Sequence, residues 1–133
     1  MSEEILFESD NCLITYDSIG KWIYFKPFGL FTPVQAKDVC ERVIDGLKLK
    51  KVNKVMNDQR FLKGTVWNGI GEWVNNDWFP RAMAAGMAHV ALMQPADILS
   101  RTTSDKAVKG QKINDVITMF VDFEEAKKWL KDQ

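Results

Sequence analysis

Residues 31–51 read "FTPVQAKDVCERVIDGLKLKK", and they decide the fold. Thr32 is placed as a helix N-cap, Pro33 occupies the first helical position, and Gln35 completes a capping box. Ala36, Val39, Cys40, Val43, Ile44 and Leu47 recur at helical spacing as one apolar stripe. Gln35, Lys37, Asp38, Glu41, Arg42 and Asp45 fall on the other face. The spacing predicts an amphipathic helix over 33–47, with Cys40 a small core residue rather than a reactive thiol.

On the N-terminal side, 4–8 and 11–17 read as a first strand region. "SIG" at 18–20 is a turn, and "KWIYFKPFG" at 21–29 is the partner strand of a hairpin. Pro27 marks a strand end or an edge, because it cannot donate to a ladder. On the C-terminal side, "VNKVMND" (52–58) and "MAHVALM" (87–93) are short apolar strands. A polar stretch follows, with a short helix expected near 98–109. "INDVITMFVD" (113–122) gives the last strand, and Asp122 caps a terminal helix carrying Phe123, Ala126, Trp129 and Leu130. The expectation is one α/β domain over 1–133, in the order β-β-α-β-α-β-α-β-α. About five strands would form a mostly parallel or mixed sheet with about four helices.

"WNGIGEWVNNDWF" (67–79) holds Trp67, Trp73 and Trp78. The first reading is a helix broken at "NND", with Asn76 or Asp77 capping its second half and the rings anchored on the sheet. The second leaves Trp73, Trp78 and Phe79 on the surface as an interface or ligand-facing patch.

Lys plus Arg equals Asp plus Glu at 18 each, so no basic excess points to nucleic acid or to a polybasic membrane anchor. No run approaches the ~20 apolar residues that span a bilayer, and "MSEEILFESD" does not read as a signal peptide. Two cysteines make neither a disulfide framework nor a metal site, and the expectation is a cytoplasmic protein with reduced thiols. The single histidine, His89, sits in a strand and reads as structural. Neither a complete dinucleotide fingerprint nor a P-loop is present, so no catalytic, cofactor or metal residues are named. An enzyme using His89 or the Asp58 loop is the last-ranked class. "SRTTSDKAVKGQK" (100–112) reads as a solvated loop before an anion site. The polar loop after the third strand supplies the candidate site, Asp58, Arg60, Lys63 and Thr65, because open α/β sheets bind ligands at strand C-termini.

Taken together, "CLITYDSIGKWIYFKPFG", "TPVQAKDVCERVIDGL", "VMNDQRFLKGT", "MAHVALM" and "ITMFVDFEEAKKWL" resemble the SpoIIAA-like domains of bacteria (the STAS/SEC14 type) over nearly the whole chain. The resemblance implies a non-enzymatic module that binds a protein partner, a second copy of itself as a homodimer, or a small apolar ligand. In phosphorylatable members a serine near the helix after the third strand switches partner binding. Here "NDQRFLKGTVW" lacks the Asp-Ser-Ser/Thr-Gly motif, and Thr65 is the hydroxyl nearest that place. The resemblance thus leaves two alternatives, a partner switch at Thr65 and a lipid or small-molecule carrier.

Overall fold

The computed structural model describes residues 3–64, 69–94 and 110–133. Strands β1 (Glu3–Ser9), β2 (Cys12–Asp17) and β3 (Trp22–Gly29) form an antiparallel meander, and β4 (Lys54–Asp58), β6 (His89–Met93) and β8 (Ile117–Phe120) continue the sheet in parallel. Two-residue strands complete it: β5 (Phe61–Leu62) beside β3 and β7 (Gln111–Lys112) antiparallel to β8. The described sheet therefore has eight strands rather than about five. The first strand region is two strands, because the chain reverses at Asp10–Asn11.

Helix α1 (Pro33–Lys50) starts as its sequence predicts. Thr32 accepts from the Gln35 N–H, and the Gln35 side chain accepts from the Thr32 N–H. The predicted stripe is buried, and it packs on Cys12, Ile14, Ile23, Phe25, Val55 and Val90. On the opposite face of the sheet, α4 (Phe123–Lys131) seats Ala126 and Leu130 on Trp22, Met56, Ala91, Met93 and Phe120. The sheet is thus buried on both faces, as parallel strands require. Asp122 caps α4 by accepting from Glu124 and Glu125.

Pro27 lies inside β3 rather than at its end. The Phe28 N–H points to β2, where it donates to Asn11, so the position of the missing Pro27 N–H faces the other side. There pairing with β4 has already stopped after Phe25, and no ladder bond is lost.

The aromatic segment is not broken at "NND". α2 (Gly71–Trp73) runs through one π turn (Val74–Trp78) into α3 (Phe79–Ala84), with the Phe79 N–H donating to Val74. Pro80 follows immediately, and a π turn is one way a helix absorbs a residue that cannot donate. Neither Asn76 nor Asp77 caps a helix, and Asp77 instead pairs with Arg81 at 2.8 Å. Arg81 also grips Glu41 of α1, its Nη1 donating at 2.8 Å, and so ties the two helices together. The helix expected near 98–109 lies outside the described residues, as does Trp67.

The β2–β3 turn is built around Asp17, whose carboxylate accepts from the N–H groups of Ile19 and Gly20 at 2.9 Å each. Trp22 lies flat over Gly20, so that a Cβ there would meet the indole at 2.2–2.5 Å. Trp22 is itself buried. Gly20→Ala is therefore expected to destabilise the fold by about 2 kcal/mol in chemical denaturation, the cost typical of overpacking.

Candidate functional site at the C-terminal edge of the sheet

Asp58 ends β4 with no exposed surface. It faces the α4 side with Met56, two residues earlier, and Tyr24 lies opposite Met56 in the neighbouring strand. That register lets the Tyr24 hydroxyl donate to Asp58 Oδ2 at 2.7 Å. Two residues beyond Asp58 the chain turns back. The Arg60 Nε and Nη2 donate to Oδ1 and Oδ2 at 2.8 Å each, and the Arg60 N–H adds a third bond at 3.2 Å. The guanidinium is held between the rings of Phe61 and Phe123, at 5.1 and 4.9 Å from their centroids. Phe123 meets Tyr24 edge-on at 6.3 Å. Adjacent strand ends are joined by Gln94 Nε2 donating to Gln59 Oε1 at 3.4 Å.

The electrostatics follow from these contacts. Burial is the largest single influence on Asp58 and pushes its pKa up, but the Arg60 and Tyr24 hydrogen bonds and the Arg60 charge together bring it below the ordinary value. Burial, then donation to Asp58, raises Tyr24 above its ordinary value. The Asp58 hydrogen bond raises Arg60. The carboxylate is thus held ionised, the phenol protonated and the guanidinium engaged, so none is free to move a proton at neutral pH.

The four sequence-selected loop residues separate. Asp58 and Arg60 are brought together as a bidentate pair. Lys63 is exposed, makes no ion pair among the described residues, and is anchored through its N–H to Gly29 at 2.8 Å. Thr65 lies outside the described residues. Tyr24 and Phe123 were missed, because they approach Asp58 and Arg60 from remote parts of the chain.

Around this clamp the surface is apolar and cationic. Leu30, Val34 and Phe61 are 70%, 79% and 44% exposed, which leaves large hydrophobic side chains uncovered at one end of the molecule. The Lys26 ammonium sits 4.7 Å from the Phe61 centroid.

Trp73, Trp78 and Phe79 are each half-buried against the core that includes α1. The Trp78 Nε1–H donates to the Cys40 carbonyl at 2.7 Å, and the Lys37 ammonium lies 5.4 Å from the Trp73 ring. His89 begins β6 opposite Lys54, whereas Asp58 pairs with Met93 at the other end of the same two strands. Four residues of strand put them on the order of 13 Å apart, too far for a catalytic dyad. Burial pushes the thiols of Cys12 and Cys40 up to about 12, leaving almost no nucleophilic thiolate at neutral pH. Among the described residues, no group of three His, Cys, Asp or Glu could hold a metal ion. The chain matches no protein-family model, no curated protein and no solved structure.

Proposed function

We propose that the chain is a non-catalytic binding module of SpoIIAA-like (STAS-like) type, which acts by docking a protein surface at the C-terminal edge of its parallel strands. The observation that carries the reading is the pairing of a spent polar clamp with uncovered apolar side chains. Asp58, Arg60 and Tyr24 satisfy one another, while Phe61 beside Arg60, and Leu30 and Val34 at the same end of the sheet, stand exposed. The opening antiparallel strands, followed by parallel strands with capped helices on both faces, support the fold half of the reading. No described helix is long and apolar enough to cross a membrane. A protein surface is favoured over a small apolar ligand because Leu30, Val34 and Phe61 stand on open surface, and the opening of about 800 Å³ at the far end of the sheet has five lysines among its lining residues. A second copy of the chain is the first partner to test.

Leu30 and Val34 are exposed and take no part in the clamp, so Leu30→Asp/Val34→Asp is expected to keep the wild-type melting temperature while abolishing association. Sedimentation across a concentration series, with cross-linking in native lysate, reads both forms of docking. The same oligomeric state and the same cross-linked products for wild type and the double variant would overturn the proposal.

A further inference from the structure

At the opposite end of the molecule, where the parallel strands begin, an open cleft of about 800 Å³ is lined by Lys21, Lys48, Lys51, Lys54 and Lys131 and by no acidic residue. The chain as a whole carries equal numbers of positive and negative groups, so this is a local concentration of charge rather than a general basic character. None of the five makes an ion pair among the described residues. Lys48 and Lys131 stand in the last turns of α1 and α4, and Lys51 follows α1, where cations offset the carbonyl end of a helix. That account does not reach Lys21, in the β2–β3 turn, or Lys54, the first residue of β4. Among the described residues, Lys21 and Lys51 are also the non-glycine residues held at positive φ, 58° and 55°. Glycine adopts that backbone more cheaply, so local conformational preference does not account for lysine at either place. Ile19, 73% exposed at the tip of the same turn, adds an apolar rim.

We propose that this cleft is an anion site for a multiply charged phosphate-type group, with Ile19 beside it to meet an apolar portion of the same ligand. The chemistry is that of a phosphorylated metabolite or an anionic lipid headgroup. The site is separate from the docking edge and does not depend on it.

The test uses the full chain with inorganic tripolyphosphate by calorimetry, and with vesicles of 30% phosphatidylglycerol by co-sedimentation. Lys21→Glu/Lys54→Glu, which touches no helix end, is expected to weaken binding about tenfold or more, with a strong salt dependence. Lys112→Glu, at the edge strand β7, is expected to bind as wild type does. Binding of free tripolyphosphate assigns a soluble ligand, and binding of vesicles alone assigns a headgroup. Lys21→Gly separates a ligand role from a structural one: it should keep or raise the melting temperature while weakening binding. Failure of wild type to bind either probe, or equal losses in Lys112→Glu and Lys21→Glu/Lys54→Glu, would overturn the proposal.

Discussion

Arg60→Ala should destabilise the fold by about 3 kcal/mol, because it strands a buried carboxylate without its cation. The figure is at the low end for a broken buried pair, since the Arg60 side chain is 30% exposed while Asp58 is fully enclosed. The effect should also depend on pH in a defined sense. In the wild type the folded-state pKa of Asp58 lies below its unfolded value. Its stabilising contribution is therefore complete above the unfolded pKa and is lost as pH falls through the folded one. Without Arg60, burial dominates and the folded pKa moves above the unfolded value. The variant's deficit should then be largest at neutral pH and shrink on acidification. Denaturant melts of both proteins between pH 7 and pH 3 would show the two curves converging. Parallel curves would mean that Asp58 is not ionised in the native state.

Trp78→Ala should cost about 3 kcal/mol, within the usual range for removing a large aromatic side chain from a packed site. The ring fills the angle between the aromatic helix and α1, stacks obliquely on Phe79 at 6.4 Å, and donates to a carbonyl in the middle of α1. Trp78→Phe keeps most of the packing and loses the donor, so about 1 kcal/mol is expected from thermal or chemical denaturation. The sequence alone allowed Trp78→Ala to leave the fold nearly intact. The hydrogen bond to the Cys40 carbonyl and the packing of the ring against the core give the opposite expectation.

Much of the architecture was legible where local chemistry is unambiguous. The Thr32–Gln35 box and the stripe from Ala36 to Leu47 fix α1, and Asp122 fixes the start of α4, because caps and 3.6-residue periodicity are short-range signals. The split between β1 and β2 was not legible. Asp10–Asn11 reverses the chain without a glycine, inside what otherwise reads as one extended region. Two-residue strands such as β5 and β7 are too short to show any period. The π turn likewise leaves no periodic trace, and its polar "NND" looks like a helix boundary.

The site was half visible for a related reason. Asp58 and Arg60 are neighbours in a polar loop at a strand end, where fold-level reasoning looks first. Tyr24 is 34 residues from Asp58 and reaches it only through the parallel register of β3 and β4. Phe123 belongs to the last helix and closes over Arg60 only when both sheet faces have been assembled. Nothing in the loop's own sequence says that its acid is paired with an arginine and hydrogen-bonded by a distant phenol.

The most direct measurement is a titration of the Asp58 side-chain carboxyl by carbon NMR on the native protein. A carboxylate locked by Arg60 and Tyr24 titrates below the ordinary aspartate value. A midpoint above that value in the folded protein would describe a carboxyl poised for acid–base work, and would contradict the non-catalytic reading at its foundation.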